Sequence, residues 1–154
     1  ELAAAAGAVA GALAAAAAVA DAERLVGAGA AHAAPDAHLA RHQCADLFLD
    51  TLPYNAHTTA SDALWAGLPV VTTPGQSFPA RVAASILQAA GVPELIADDL
   101  AAYEALALKL AMDTRALSDI KQKLALHRDT CALFDTARFT RNLEAAYAQL
   151  LARA

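Results

Sequence analysis

Residues 50–62 read DTLPYNAHTTASD and separate a short apolar run, residues 47–49, from a segment with helical periodicity that ends near Gly67. The apolar run predicts a buried strand, and a glycine is a typical residue just past a helix end. A histidine and two threonines, residues 57–59, therefore occupy a strand-to-helix turn. In open α/β sheets such turns bind phosphates and riboses. The stretch predicts a nucleotide-binding corner in an α/β fold.

The composition is that of one globular domain. At 154 residues the chain is long enough for one domain and short for two. The net charge of -5, without any basic run, argues against a nucleic-acid-binding surface. The mean hydropathy of +0.37 comes largely from alanine, which buries little area, so it is a weak argument for a membrane protein. We expect one domain over residues 1–154, with neither nucleic acid nor membrane as a partner.

The alanine-rich segment over residues 2–20 has nearly the length of a membrane span, but few of its side chains are large. A transmembrane helix needs about 20 strongly apolar residues, and a signal peptide needs a basic start, whereas this chain starts with Glu1. A helix packed on a sheet is therefore the favoured interpretation. Because the sequence starts within a helical pattern and does not begin with an initiator methionine, we expect it to be a fragment of a longer enzyme.

The two cysteines, Cys44 and Cys131, are far apart and form no CxxC motif. This spacing indicates neither a zinc site nor a disulfide framework. The prediction is of two buried or half-buried thiols in a cytoplasmic protein.

Strand and helix patterns alternate along the chain. Such alternation predicts parallel βαβ units, and hence a Rossmann-like parallel sheet with flanking helices and a helical C-terminus. The predicted strands cover residues 24–26, 46–50, 69–73 and 95–96, and the predicted helices cover residues 2–20, 37–43, 60–66, 78–90, 100–112, 115–128 and 136–152.

His57, Thr58 and Thr59 are the first candidate ligand-binding residues. Threonine hydroxyls and an imidazole can donate hydrogen bonds to phosphate oxygens beside the free N–H groups of a helix N-terminus. Asp62, one turn further on, can accept hydrogen bonds from a ribose diol. The alternative is structural: Thr58 or Thr59 is the N-cap, and Asp62 completes a capping box with Thr59.

His38 and Arg41 form an i,i+3 pair on one face of the short helix after Pro35. An imidazole can stack on a base, and a guanidinium can hydrogen-bond or stack beside it. The alternatives are a solvated basic face and, with little support, a metal site at His38 and His42, which lack a nearby third ligand.

Two further loops carry polar candidates. Gln76 and Ser77 follow a Pro-Gly turn at a strand end on the same side of the sheet, where either can reach a ligand, although Ser77 can equally be a helix N-cap. Asp50 ends a strand and is a possible general base, but an aspartate before a turn is more often a turn-former.

Three strings resemble a known family: ADLFLDTLPYNAHTTASDALWAGLPVVTTPG, ARVAASIL and PELIADDLAAYEALALKLA. They are similar to the C-terminal catalytic lobe of the protein O-GlcNAc transferases, which include the SPINDLY-like proteins of glycosyltransferase family 41. The resemblance runs from about residue 21 to the C-terminus, and NAHTTASDALWAGLPVVT is its most specific part. It implies a GT-B fold, in which two Rossmann-like lobes bind a nucleotide sugar between them.

The resemblance also implies an activity and roles for single residues. GlcNAc is transferred from UDP-GlcNAc to serine or threonine of an acceptor protein, with inversion and without a metal or other cofactor. The implied roles are the diphosphate for His57, Thr58 and Thr59, the ribose for Asp62, and the uracil for His38, Arg41 and the backbone near Ala33.

Several parts that the family carries do not occur in these 154 residues. The lysine that stabilises the leaving diphosphate, the N-terminal lobe and the tetratricopeptide repeats that choose acceptors would lie upstream of Glu1. Pro35 stands where the animal enzymes have a lysine. Two alternatives stay open: a SPINDLY-type protein O-fucosyltransferase that uses GDP-fucose, and a non-catalytic module that serves only in assembly.

Overall fold

The computed structural model describes residues 34–153. The predicted helix over residues 2–20, the predicted strand over residues 24–26 and Ala33 lie outside the described residues. The elements in chain order are α1 (Pro35–His42), β1 (Phe48–Leu49), α2 (Thr58–Trp65), β2 (Val70–Val71), α3 (Val82–Ala89), a 3-10 helix (Pro93–Leu95), α4 (Leu100–Met112), α5 (Thr114–His127) and α6 (Thr136–Leu151).

The two strands are parallel, as the alternation of patterns predicts. Phe48 pairs with Val70 and Leu49 with Val71. Beyond β2 the ladder continues through Thr72, whose N–H donates to the Leu95 carbonyl and whose carbonyl accepts from Ala97. The flanking helices and this parallel pairing confirm the predicted Rossmann-like α/β architecture.

The predicted strand over residues 95–96 is only partly correct. Leu95 ends the 3-10 helix, and only Ile96 forms a parallel bridge, with Thr72. The physical reason is Pro93, because its fixed φ suits the first position of a helical turn and its nitrogen has no N–H to donate to a ladder.

The core lies between the strands and helices α2 to α5. Both residues of β2 are fully buried, as expected for a strand covered on both faces. The side chains that pack around them come from four helices and the adjoining loops: Ala63, Leu64, Leu68, Leu87, Val92, Leu95, Leu110 and Leu124. Alanine at several helix positions lets these helices pack closely on the strands.

Helix α2 ends as its sequence predicts. Gly67 has a φ of 85°, a conformation that favours glycine. Its N–H donates to the Leu64 carbonyl, and the N–H of Leu68 donates to the Ala63 carbonyl, which together form a Schellman motif. The motif turns the chain directly into β2.

Helix α3 begins at Val82, so the predicted start at residue 78 is wrong. The preceding residues form a closed loop in which the Gly75 N–H donates to the Ala80 carbonyl at 2.7 Å. Two turns follow inside this loop, and Arg81 then has a φ of -122°, outside the helical range. Ser77 therefore does not cap the helix.

Three C-terminal helices agree with the predicted ones to within one residue at each end. Each starts at an aspartate whose carboxylate accepts from first-turn N–H groups, namely Asp99, Asp113 and Asp135. Lys121 and Lys123 attach α5 to the rest of the fold through ion pairs with Asp46 and Glu94. Among residues 34–153 no helix combines the length and apolar character needed to cross a bilayer.

The predicted burial of the cysteines is correct for only one of them. Cys131 is half-buried, but Cys44 is exposed. Cys44 lies in the turn that follows α1, where its N–H closes a turn onto the Arg41 carbonyl, and no element covers this turn among the described residues.

Tyr103 ties α4 to the end of β1. Its hydroxyl donates to the Asp50 carbonyl at 2.9 Å. Burial, followed by the charge of Asp50, raises the pKa of Tyr103 to about 12, so the hydroxyl keeps the proton that it donates.

We expect Tyr103→Phe to lower the free energy of unfolding by about 1 kcal/mol, the usual net contribution of one hydrogen bond. Urea denaturation at neutral pH measures the change. The matched control is Tyr147→Phe, because Tyr147 is an exposed tyrosine of α6. Equal stabilities of the two variants would contradict the role given to the Tyr103 hydroxyl.

Candidate functional site

The carboxylate of Asp50 organises the loop that follows β1. Its side chain is only 5% exposed. Oδ1 accepts from the N–H groups of Thr51 and Ala56 at 2.8 and 2.7 Å, and Oδ2 accepts from the Thr72 hydroxyl at 2.6 Å. Because these donors occupy both oxygens, the carboxylate forms the turn, and the alternative role as a general base is wrong.

Asn55 holds the same loop from the inside. It is 1% exposed, its Nδ2 donates to the Thr51 carbonyl, and its N–H donates to the Pro79 carbonyl. The Thr51 hydroxyl donates to the Tyr54 carbonyl at 2.8 Å, and the Leu52–Pro53 peptide bond is cis. Hydrogen bonds thus fix both ends of the loop and its centre.

The N-terminus of α2 is not capped by any side chain. His57 is the N-cap residue and makes no side-chain capping bond. Thr58 and Thr59 are exposed, and within residues 34–153 neither hydroxyl has a hydrogen-bond partner. The N–H groups of the first turn have no intrahelical partner either. The capping box of Thr59 and Asp62 is therefore wrong, and these donors are open to an anion.

The ring of His57 lies between two aromatic side chains. Its Nε2 donates to the Pro79 carbonyl at 3.3 Å, which leaves Nδ1 as the ring atom available to a ligand. Tyr54 stacks on the ring at a centroid distance of 5.1 Å, and Phe78 approaches it edge-on at 6.3 Å. Only a doubly protonated ring can donate from Nδ1 to a phosphate, whereas a neutral ring accepts there.

His38 connects Arg41 to Asp62. Arg41 Nη2 donates to His38 Nδ1 at 2.7 Å, so Nδ1 carries no proton. His38 Nε2 therefore carries the proton and donates to Asp62 Oδ2 at 3.0 Å. The basic face of α1 is therefore only partly solvated, because this chain of bonds joins α1 to α2 and orients the carboxylate.

A metal has no support from this geometry. Both ring nitrogens of His38 already have partners, and His42 contacts the His38 ring edge-on at 5.3 Å. Within the part of the chain that the structure describes, no three His, Cys, Asp or Glu side chains are grouped to hold a metal ion.

The predicted residues fall into two neighbouring clusters. His57, Thr58 and Thr59 line an open depression of about 500 Å³, together with Phe48, Thr51, Tyr54, Asn55 and Ala56. The second cluster consists of Asp62, one turn further along α2, and of His38 and Arg41, which reach it from α1. Gln76 and Ser77 are exposed on the loop after β2 and belong to neither cluster.

Two residues of the corner, Tyr54 and Asn55, are not singled out in the sequence analysis. The turn-forming role that the sequence favours for Asp50 is the one that its hydrogen bonds show. The signal that could have identified Asn55 is its residue type just before a helix start, because asparagine commonly bonds to nearby backbone groups.

The fold and the corner define the class of the protein. A parallel sheet with flanking helices, and an uncapped helix N-terminus at the carboxyl end of a strand, make a Rossmann-like α/β lobe. The family model described as Glycosyl transferase family 41 matches residues 4–143. The chain belongs to glycosyl transferase family 41.

Curated relatives match most of this chain. It is 40% identical over 121 residues to the UDP-N-acetylglucosamine--peptide N-acetylglucosaminyltransferase of Caenorhabditis elegans, covering 79% of this chain and 10% of that protein. It is 41% identical over 111 residues to the probable UDP-N-acetylglucosamine--peptide N-acetylglucosaminyltransferase SEC of Arabidopsis thaliana. This match covers 71% of this chain and 11% of that protein. The chain thus spans about a tenth of these relatives.

A solved structure is similar in fold. It is a mutant of the Thermobaculum terrenum O-GlcNAc transferase, with a TM-score of 0.68 and 37% sequence identity. The match covers 73% of this chain and 22% of that one.

His42 makes the stability of the described fold depend on pH. Its Nε2 is buried and has no hydrogen-bond partner within residues 34–153. Burial lowers the pKa of His42 below its usual 6.5. His38 and Arg41 lower it further, while the charge of Asp62 opposes them.

The unfolded chain therefore binds a proton at His42 more readily than the folded chain does. Above pH 6.5 His42 should not reduce the free energy of unfolding, and below this pH the free energy of unfolding should fall. We expect His42→Gln to make the loss of stability at acid pH shallower than in the unchanged protein. Urea denaturation over a pH series measures both curves, and parallel curves would contradict the assignment.

Proposed function

We propose that the chain is the UDP-GlcNAc-binding part of a protein O-GlcNAc transferase. The observation that carries the proposal is the uncapped N-terminus of α2, followed one turn later by the carboxylate that His38 orients. Similarity to proteins named as UDP-N-acetylglucosamine--peptide N-acetylglucosaminyltransferases supports the choice of donor.

The diphosphate binds at the N-terminus of α2. Thr58 and Thr59 donate their hydroxyls, and the first-turn N–H groups add donors along the positive end of the helix dipole. His57 contributes through Nδ1 when its ring is protonated. The chain has no basic run, so backbone groups and these hydroxyls supply most of the attraction.

The ribose and the base bind one turn further along. Asp62 is three residues after Thr59, about 4.5 Å along the helix axis, so a phosphate and its attached ribose can contact the same helix. Asp62 accepts from the ribose diol through Oδ1, because Oδ2 bonds to His38. The uracil lies against His38 and Arg41, with the backbone near Ala33 as a further contact. Gln76 and Ser77 are secondary candidates.

In the reaction, the hydroxyl oxygen of a serine or threonine of an acceptor protein forms a bond to the anomeric carbon of GlcNAc, and the hydroxyl proton is released to the surrounding water. The bond to the β-phosphate oxygen breaks, and UDP leaves with an additional negative charge. The helix N-terminus is already oriented toward this charge and stabilises it as it develops. The acceptor protein, a first lobe and tetratricopeptide repeats are the proposed partners of this cytoplasmic enzyme, and no metal takes part.

We expect the double variant Thr58→Ala, Thr59→Ala to bind UDP at least about tenfold more weakly, since each hydrogen bond to a charged group contributes roughly 1.5–3 kcal/mol. Isothermal titration calorimetry on the full chain measures the affinity. The matched control is Thr114→Ala, because Thr114 is also an exposed threonine at the first position of a helix.

An unchanged affinity of the double variant would contradict the diphosphate site. The unchanged protein should also melt at a higher temperature with UDP, because ligand at 100 times its dissociation constant stabilises by about 2.7 kcal/mol. A melting curve that UDP does not shift would favour the non-catalytic assembly module.

The preference of the site for uracil over guanine gives a separate prediction. UDP should compete with UDP-GlcNAc for the site more strongly than GDP does, because the contacts of His38 and Arg41 are assigned to uracil. A competition titration with UDP, GDP and GDP-fucose measures the preference. Stronger binding of GDP and GDP-fucose would overturn UDP-GlcNAc as the donor and favour an O-fucosyltransferase.

A further inference from the structure

Tyr54 is an exposed aromatic side chain on a loop that hydrogen bonds hold in place. Its side chain is 62% exposed, although the residue after it, Asn55, is 1% exposed. Its backbone carbonyl accepts from the Thr51 hydroxyl, which holds the backbone of the loop at this residue. The hydrophobic core therefore does not explain the ring.

The position of this ring relative to the diphosphate corner is defined. Tyr54 lies nearly parallel to the His57 ring, with 19° between the planes and 5.1 Å between the centroids. One face of Tyr54 is thus covered by His57, the N-cap residue of α2, while the residue as a whole stays 62% exposed. Both residues line the same depression as Thr58 and Thr59.

We propose that Tyr54 is a specificity-determining residue that stacks on the sugar ring of the nucleotide sugar. This inference rests on the proposed function, because it assumes that the diphosphate binds at Thr58 and Thr59. The sugar is bonded directly to the β-phosphate and must lie next to that corner. Tyr54 is the large exposed side chain that the loop holds there.

The chemistry of the two surfaces is complementary. A pyranose ring has a face of C–H groups whose hydrogens are slightly positive, and the face of an aromatic ring is negative. A tyrosine ring fixed by its loop loses little conformational freedom when it binds. The diphosphate contacts are the same for UDP and for a UDP-sugar, so a difference between the two affinities isolates the contact of Tyr54 with the sugar.

Asn55 adds an independent sign of an unfilled polar position in the same depression. Its Oδ1 is buried and has no hydrogen-bond partner within residues 34–153, whereas its Nδ2 is fixed on the Thr51 carbonyl. Buried acceptors without a donor are costly, and they are often found where a ligand or a water completes the site.

The test compares UDP with UDP-GlcNAc on the same variants by calorimetry. We expect Tyr54→Ala to bind UDP-GlcNAc more weakly than the unchanged chain, by about threefold to tenfold beyond any loss that it shows for UDP, the size of one aromatic stacking contact. Tyr54→Phe should keep both affinities, because the ring and not the hydroxyl makes the contact. The control Tyr147→Ala removes an exposed tyrosine of α6 and should change neither affinity.

The UDP affinity of each variant measures whether the diphosphate corner is still intact. If Tyr54→Ala leaves the UDP-GlcNAc affinity unchanged, or lowers both affinities by the same factor, the sugar contact is overturned while the diphosphate site stands. If the unchanged chain binds neither UDP nor UDP-GlcNAc, the proposed function fails, and this inference fails with it.

Discussion

The buried carboxylate of Asp50 is the interaction on which the described fold and its corner both depend. Through Thr72 it joins β1 to β2, and through Thr51 and Ala56 it fixes the two ends of the loop between β1 and α2. The backbone of the same residue donates to Val71 and accepts from the α4 tyrosine, so one position connects both strands, a loop and a helix. A buried charge is costly unless donors surround it, and here three donors do.

This arrangement leaves the N-terminus of α2 free for a ligand. Helices α4, α5 and α6 cap their N-termini with aspartates, whereas α1, α2 and α3 have no side-chain cap. At α2 the N-cap residue is His57, and its side chain donates to the Pro79 carbonyl. Because the loop before it is fixed by Asp50 and Asn55, the helix needs no capping side chain to hold its first turn. The site is therefore organised before any ligand arrives.

The sequence predicts correctly those helices and strands whose signals lie within a few residues along the chain. Periodicity and glycine positions placed α2 and its end, and apolar runs placed β1 and β2, because these signals act within a few residues. The start of α3 was placed too early, because the closed loop at Gly75 depends on a contact that propensities do not describe. The bond between His38 and Asp62 joins residues 24 positions apart, and only the packing of α1 on α2 produces it. For the same reason the partners of Asp50 were not visible in the sequence.

The position of the His57 ring depends on how closely Gly75 and Ala80 approach each other in the loop between β2 and α3. A Cβ atom at Gly75 would lie 2.7 Å from the Cβ of Ala80, so any side chain there must push the two arms of the loop apart. Between those arms lies Pro79, whose carbonyl accepts from both Asn55 and His57. The width of this loop therefore sets the position of the Pro79 carbonyl, and through it the position of the His57 imidazole. A change of bulk at Gly75 or Ala80 would therefore move the imidazole of His57 without altering any of the side chains assigned to the ligand.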